Sequence, residues 1–450
     1  MKKKYVRWTL WTIASPFILF IILCILIYLP PIQNFLVDKA AVYASEATGM
    51  NISVGRISLS FPLNLVVTDV DAASPHNDTL LSVRRLQVNV QLLPLLKKQV
   101  EVDGISLQGA TVNSNDLIHG MKLNGTLGEL FISSHGVALD PETAIINKVL
   151  LKDTDLSLCL NDTAAADTVA SDTTYWKIIL QDIDLQNVSF ALDMPLDSLS
   201  LAASLDNAIL RDGLIDLHKS AYSLQTFRIE NGRVRYDSGK PLAADSLSSG
   251  LDPSHIALTD IGVKLDSLYY EGRNMKAIIS QFVLKERSGV EIVSATGRMV
   301  SNDKVLRVPS LKLETRDSYL ELNAAMDWNA LDFKDEGLVS ARLMADIGKP
   351  DVVRFMGSMD EKFIRQYPSE PLRIRTGIDG DLNKLKLTTL TAELPGALGL
   401  FARGELTHLT DNLLRGGDIT LEAETKDLKF VSTLAEGIEI PYGTRLEGKF

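Results

Sequence analysis

The sequence predicts a mostly β protein, in which an N-terminal transmembrane helix and a short amphipathic helix precede a long, repetitive antiparallel sheet. Three observations predict this fold class. An uncharged apolar run occupies residues 8–29, apolar and polar residues alternate from residue 51 onward, and one eight-residue pattern recurs four times. The alternation has a period of two, which is typical of strands with one apolar face, whereas a helix repeats every 3.6 residues.

The composition excludes several classes of protein. The 450 residues include 46 Lys and Arg against 57 Asp and Glu, a net charge of −11, whereas nucleic-acid binding requires clustered positive charge. The two cysteines, Cys24 and Cys159, are too few for a disulfide framework or a zinc ribbon. The six histidines are scattered singly. We therefore expect no nucleic-acid partner, no metal and no cofactor.

The apolar run at residues 8–29 predicts a membrane anchor. As a helix it is roughly 33 Å long, enough to cross the hydrocarbon core of a bilayer. Basic residues precede the run and place the N-terminus in the cytoplasm. It ends in Pro30 and Pro31 instead of a small-residue cleavage site, which favours an anchor over a cleaved signal peptide. The predicted anchor residues are Trp8, Trp11, Phe17, Tyr28 and Leu29.

The body of the chain reads as strands. Residues 32–49 show helical spacing and end at Gly49, which is typical of an amphipathic helix. Beyond this point the alternation predicts strands with one apolar face, bounded by Gly, Asn and Asp. The candidate residues for that face are Leu86, Val88, Val90, Ile105, Leu107, Ile183, Leu185, Ile261, Val263, Leu311 and Leu313.

An internal repeat lies within this alternation. Its copies start at residues 105, 149, 183 and 227, with apolar residues at the first, third and eighth positions. A turn-forming residue stands at the fifth position of each copy: Gly109, Asp153, Asn187 and Asn231. Repeated strand pairs without a helical layer indicate stacking along an axis. A chance likeness among short alternating strands is the alternative.

Two polar segments divide the body. We predict a cytoplasmic tip and anchor at residues 1–31, the amphipathic helix at 32–49, β regions at 50–160, 175–237 and 256–450, and polar loops at 161–174 and 238–255. Short helices are expected at 350–356 and 427–435. Because residue 450 falls inside an alternating strand, which would leave an unpaired edge, we expect the chain to be the front part of a longer protein.

No catalytic motif stands out, and we expect no enzymatic activity. Three Asp-x-Asp pairs, Asp153/Asp155, Asp182/Asp184 and Asp379/Asp381, each place two carboxylates on one face of a strand, where they could hold a divalent cation. The same positions are the solvated side of an alternating strand, which is the interpretation we prefer. An exported hydrolase that uses one of these pairs is the remaining enzymatic alternative. Asp-Ser/Thr triplets in the polar loops resemble the O-glycosylation signal of some exported bacterial proteins.

The opening residues resemble a known family. After the anchor come Ala47-Thr-Gly49, then the strand 52–59, then 86–96 leading into 100–105. This order resembles the AsmA-like family, most closely the inner-membrane subunit of the translocation and assembly module. The resemblance implies a single-pass inner-membrane protein of Gram-negative bacteria with its body in the periplasm, and a taco-shaped β-sheet with an apolar groove. It also implies phospholipid as cargo and an Omp85-type partner in the outer membrane.

A sheet with one apolar face must cover that face. Curling the sheet into an elongated groove that holds acyl chains would do so, with about 0.8 kcal/mol from each buried methylene. Packing two sheets into a sandwich would serve equally well. The function expected from the groove is conduction of phospholipid towards the outer membrane. The alternative is a scaffold for outer-membrane protein assembly, which holds client strands at a sheet edge.

Overall fold

The computed structural model describes residues 39, 41, 42, 45, 46, 49–60, 64–74, 79–91, 102–114, 120–138, 142–161, 175–239, 250–334, 337–356, 361–433 and 441–449. The predicted anchor, with Trp8, Trp11, Phe17, Tyr28 and Leu29, lies outside these residues. So do most residues of the predicted amphipathic helix and of the two polar loops. Of the helix predicted at 32–49, residues 39, 41, 42, 45 and 46 are helical. In the part of the chain that the structure describes, no helix has the length and apolar character needed to span a membrane.

The prediction of a mostly β protein is confirmed, because strands make up 72% of the structure and helices are few. Beyond residue 50, the described residues form three short α-helices: α1 (Trp328–Leu331), α2 (Lys349–Phe355) and α3 (Glu361–Gln366). The helix expected at 350–356 is confirmed as α2. Of residues 427–435, the described ones form only a 3-10 turn at Val431–Thr433.

The contacts divide the chain into two compact units. Unit 1 comprises Met1–Thr174 and Leu180–Leu196, and unit 2 comprises Tyr175–Ile179 and Asp197–Phe450. The first seven strands are β1 (Asn51–Ser60), β2 (Asn64–Ala73), β3 (Thr79–Val90), β4 (Val102–Asn113), β5 (Met121–Ala138), β6 (Thr143–Leu160) and β7 (Lys177–Met194). In unit 1, β1 to β6 pair in chain order, each antiparallel to the next.

Strand β7 lies beside β6 in a different manner. Side-chain hydrogen bonds join Asn147 to Gln181, Asn187 to Asp153 and Ser189 to Asp155, and each pair is separated by 34 residues. In an antiparallel pair, the numbers of the two facing residues add up to the same sum along the strands. Here the difference between the two numbers is constant instead. The two strands therefore run in the same direction along these contacts. Two copies of the repeat, which start at 149 and 183, thus lie side by side in register.

The remaining strands belong to unit 2. They are β8 (Leu199–Asp216), β9 (Ala221–Leu224), β10 (Thr226–Ser238), β11 (His255–Glu271), β12 (Asn274–Glu286), β13 (Glu291–Ser301), β14 (Val305–Thr315), β15 (Tyr319–Asp327), β16 (Leu338–Ile347), β17 (Leu372–Asp381), β18 (Lys384–Leu394), β19 (Leu398–Thr407), β20 (Gly416–Thr425) and β21 (Arg445–Lys449). β9 and β10 lie end to end and share one position in the sheet, since both pair with β8 on one side and with β11 on the other. From β10 onward each strand pairs antiparallel with the next.

The main buried cluster of unit 2 lies at one end of its strands. It is formed by Phe363, Tyr367, Leu394, Ala397, Leu428 and Phe430. The Phe430 ring meets Phe363 and Tyr367 edge-on, with centroids 5.8 and 5.1 Å away. The segment that contains α2 and α3 joins β16 to β17 and supplies the first two of these residues. It folds onto the strand ends and covers them with a small aromatic core.

A buried carboxylate holds α2 in place. Asp351 is 1% exposed and accepts hydrogen bonds from the hydroxyls of Thr315 and Ser318, both at the turn between β14 and β15. The guanidinium of Arg354 lies 3.0 Å from Asp351 and 2.7 Å from Asp317. Burial alone would lower the pKa of Arg354, but the hydrogen bonds to Asp317 and Asp351 raise it overall. The carboxylate therefore couples α2 to the adjoining hairpin.

We expect Asp351→Ala to lower the free energy of local opening at this end of unit 2 by about 3 kcal/mol. The substitution leaves the hydroxyls of Thr315 and Ser318 and the guanidinium of Arg354 short of a partner. The measurement is the free energy of local opening of β14 to β17, obtained from hydrogen exchange. The control is Asp332→Ala, which removes an exposed ion pair to Arg273 at 3.1 Å and should cost under about 1 kcal/mol. Equal losses in the two variants would contradict this account.

Candidate functional site

Two transverse rows of apolar side chains cross the first six strands of unit 1. Residues directly opposite each other in a sheet point to the same face. The register therefore places Ile57, Val67, Leu86, Leu107, Leu130 and Leu151 in one row. It places Leu59, Leu65, Val88, Ile105, Ile132 and Val149 in a second row, two residues further along each strand. We call these sets the unit 1 rows.

The structure brings together most of the candidate residues from the first half of the chain. Leu86 is the direct partner of Leu107, and Val88 is the direct partner of Ile105. Val90 pairs with Val102 after an irregularity in the register. The contacts between β6 and β7 align Ile183 with Val149 and Leu185 with Leu151, which extends both rows by one strand.

The fifth residue of the repeat, a turn-forming residue type in each copy, does not lie in a turn. Gly109, Asp153, Asn187 and Asn231 all lie inside strands, with φ of +62°, +49°, +51° and +53°. Gly, Asn and Asp are the residues that enter this left-handed region most readily. The recurring position therefore reflects a recurring backbone conformation, and this supports a real repeat over a chance likeness.

The left-handed residue changes which residues face the apolar side. In β6, Val149 and Leu151 precede Asp153 at a spacing of two, and the buried Thr154 follows Leu151 at a spacing of three. The exposed positions move in the same way, from Lys152 before Asp153 to Asp155 after it. Register with β5 is the same before and after this point. One left-handed residue thus reverses the alternation and keeps Val149, Leu151, Thr154 and Leu156 on one face.

We expect Gly109→Val to lower the free energy of local opening of β4 by about 1–2 kcal/mol, because a β-branched residue fits poorly at positive φ. Its Cβ would also lie 3.3 Å from the Cβ of Arg84. Gly399→Val is the matched control, since an added Cβ in β19 meets nothing within 4 Å. Hydrogen exchange of β4 and β19 amides measures both effects. If Gly399→Val destabilised β19 as much as Gly109→Val destabilised β4, the positive φ of Gly109 would not be the cause of the destabilisation.

Unit 2 carries comparable rows across β14 to β20. One consists of Leu311, Leu322, Leu343, Thr376, Leu390, Ala402 and Leu421. The other consists of Leu313, Leu320, Ala345, Ile374, Ala392, Leu400 and Ala423. Of the remaining candidates, Val263 pairs with Ile229 and Phe282, and Ile261 pairs with Gly232. We call the two β14–β20 sets the unit 2 rows.

The rows are only partly covered. Every residue of the unit 1 rows is half-buried, and so is every residue of the unit 2 rows except the buried Ala345 and Ala402. In a sandwich, the inward side chains of both sheets fill a close-packed core and are buried. Among the described residues, the rows instead retain accessible apolar surface. Such surface usually marks an interaction site.

The opposite face of the strands carries polar side chains next to several of the candidate residues. The side-chain amide of Gln87 donates to Asn89 at 3.0 Å and accepts from Arg85 at 3.2 Å. Lys264, next to Val263, lies 3.8 Å from Asp266. At Gln87 and Lys264 the strand therefore separates an apolar face from a polar one. Elsewhere in unit 1 the same opposite face also carries Val66, Phe131 and Leu150.

Three carboxylates of the Asp pairs accept hydrogen bonds within the protein. Asp153 accepts from Asn187 at 2.9 Å and Asp155 from Ser189 at 2.7 Å. Asp381 accepts from the backbone N–H groups of Asn383 and Lys384, which shapes the turn between β17 and β18. In the described parts of the chain, no group of three or more His, Cys, Asp or Glu side chains is placed to hold a metal ion.

A scan against protein-family models and a search of curated proteins both give no match to this chain.

Proposed function

We propose that this protein is an AsmA-like, TamB-like conduit, anchored in the inner membrane, which conducts phospholipid through the periplasm towards the outer membrane. The observation that carries the proposal is the pair of half-buried, mostly apolar rows in each unit. The uncharged run at residues 8–29 and the order of motifs after it support the anchor and the family. An outer-membrane partner of the Omp85 type follows from the same resemblance.

The dimensions of the rows suit an acyl chain. Strands lie about 4.8 Å apart, so the six strands of the unit 1 rows give a path of roughly 24 Å across the sheet. The two rows, two residues apart along each strand, are about 7 Å from each other. A chain lying along this path replaces water at half-buried leucine, isoleucine and valine side chains, with about 0.8 kcal/mol for each methylene that it buries.

The same arrangement supports movement along the path. The contacts that the unit 1 rows offer are nonpolar and similar from strand to strand, and no described cation is part of them. Dispersion and hydrophobic contacts have little directional preference. An acyl chain can therefore shift from one strand to the next without breaking a specific bond. We propose no catalytic residue and no cofactor for this function.

Photo-crosslinking amino acids at Val88 and Val263 should capture phospholipid, because both positions lie on the apolar face. The same reagent at Gln87 and Lys264, their neighbours on the polar face, should capture little. The measurement is mass spectrometry of lipid adducts after irradiation in cells. Equal labelling at all four positions would overturn the proposal.

We expect Val263→Asp to block transport while leaving the protein abundant and full-length, because a carboxylate on a half-covered face still reaches water. Lys264→Asp is the matched control and should be nearly silent, since the side chain of Lys264 is 39% exposed and makes only a long ion pair. Immunoblotting gives the protein level, and outer-membrane phospholipid gives the transport. In a closed sandwich the buried carboxylate would cost several kcal/mol, and the Val263→Asp variant would be degraded.

The assembly-scaffold alternative makes a different prediction about depletion of the protein. Loss of the conduit should first change the phospholipid content of the outer membrane. A strain that instead loses outer-membrane barrel proteins while its phospholipid stays normal would favour the scaffold.

A further inference from the structure

The strands of unit 2 alternate in direction, so their connections fall at two ends. We call one end the upper rim, formed by residues 217–220, 272–273, 302–304, 328–334, 382–383 and 408–415. At the opposite end, the connections that contain α2, α3 and residues 426–433 fold inward and bury their apolar residues in the aromatic core. The upper rim makes no such core among the described residues.

Large apolar side chains protrude from the upper rim. Leu413 is 94% exposed and Leu414 is 62% exposed, both in the connection between β19 and β20. Phe333 is 79% exposed and Leu331 is 41% exposed, both in the connection between β15 and β16. The two connections are four strand positions apart, which is roughly 19 Å along the rim. Exposure of this degree costs free energy in water and gains nothing for the fold.

The backbone holds Phe333 in its outward position. Its φ is +55°, a region that bulky side chains rarely adopt. Hydrogen bonds from the N–H of Phe333 to Ala330 and from the N–H of Lys334 to Asn329, at 3.1 and 2.7 Å, fix the turn after α1. Backbone strain of this kind persists where a structure uses it. A second feature, independent of exposure, thus indicates a defined tip.

Aromatic residues with polar atoms lie on the same rim. Tyr222 and Tyr270 face each other with ring centroids 6.1 Å apart, and both are more than a third exposed. The indole N–H of Trp328 donates to the carbonyl of Asn302 at 2.7 Å, and the guanidinium of Arg273 lies 5.0 Å from its ring. Tyr and Trp side chains of this kind favour the boundary between water and lipid.

The charges of the rim nearly cancel. Five cations, Lys219, Arg273, Lys304, Lys334 and Arg415, stand against the three carboxylates of Asp303, Asp332 and Asp411, a net charge of +2. Asp332 pairs with Arg273 at 3.1 Å and with Lys334 at 3.7 Å. A net charge this small, spread over several connections, does not select a strongly anionic surface such as nucleic acid, which binds through clustered cations. A protein partner would need a contiguous patch of about 800 Å², whereas these tips are separate. A fluid, zwitterionic lipid surface accepts separate apolar tips because it has no fixed shape to match.

We infer that the upper rim of unit 2 inserts Phe333, Leu413 and Leu414 into the interfacial region of a zwitterionic phospholipid bilayer. Tyr222, Tyr270 and Trp328 lie at the level of the headgroups. This surface is distinct from the apolar rows, and its binding does not depend on whether the rows carry lipid.

The test uses the full chain with Cys24→Ser and Cys159→Ser, reconstituted in phosphatidylcholine vesicles that contain nitroxide-labelled lipid. An environment-sensitive fluorophore is attached to Leu413→Cys, or to Tyr442→Cys as the matched control. Tyr442 is 79% exposed but lies in the connection between β20 and β21, at the opposite end of the strands. We expect severalfold stronger quenching and a blue shift at position 413. Equal quenching at the two positions, or none at 413, would overturn the inference.

A second variant tests the cause of the quenching. Phe333→Ser with Leu414→Ser should reduce the quenching at position 413 severalfold, and raising the salt concentration should leave it unchanged, because exposed charges are screened by salt and apolar insertion is not. Quenching that salt abolishes would assign the contact to charge and contradict the inference. Quenching at 413 without lipid adducts at Val88 and Val263 would keep the rim as a membrane contact and reject the conduit.

Discussion

The constraint on which this structure depends is the register between neighbouring strands, which sets apolar side chains opposite one another from strand to strand. A single strand with one apolar face has no stable fold of its own. In unit 1, Leu107 lies opposite Leu86 on one side and opposite Leu130 on the other. Each inner strand is thus aligned by both of its neighbours. A slip by one residue would turn all of these side chains to the polar face. The apolar residues therefore favour one register, and that register aligns them into rows.

The left-handed residues extend this constraint along the strands. Strands of up to 18 residues, such as β6 and β8, are long enough for twist to carry the two ends far out of line. At Gly109 and Asp153 the left-handed residue leaves the register with the neighbouring strands unchanged. The apolar face then continues, although the sequence spacing changes from two to three. Selection of Gly, Asn and Asp at these points follows from the low cost of positive φ for these residues.

The two ends of the unit 2 strands use apolar residues in opposite ways. At one end, Phe363 and Phe430 are buried in a core that α3 helps to form, and Asp351 joins α2 to the next hairpin. At the other end, Phe333 and Leu413 are exposed. The core gains stability from burial, whereas the exposed end keeps its apolar surface available. A partly covered sheet face and an exposed rim both place apolar surface where a lipid could meet it.

The sequence by itself determined the class of the fold and the composition of its apolar face. Alternation over two residues is a local property, so Leu86, Val88, Ile105 and Leu107 could be assigned to one face before any partner strand was known. The repeat could also be found, because its fifth position restricts the residue type. The residue type alone did not show the conformation at that position, since Gly, Asn and Asp favour turns and left-handed strand residues alike.

Only the tertiary structure decided which strands are neighbours and how much of the apolar face is covered. The parallel placement of β7 beside β6 depends on contacts between residues 34 positions apart, which no local pattern encodes. The segment with α3 was missed for a similar reason, because six residues are too few to show a helical period. Half-burial of the rows depends on which layer packs against them. Alternation identifies an apolar face but not what covers it, because coverage results from contacts between distant parts of the chain.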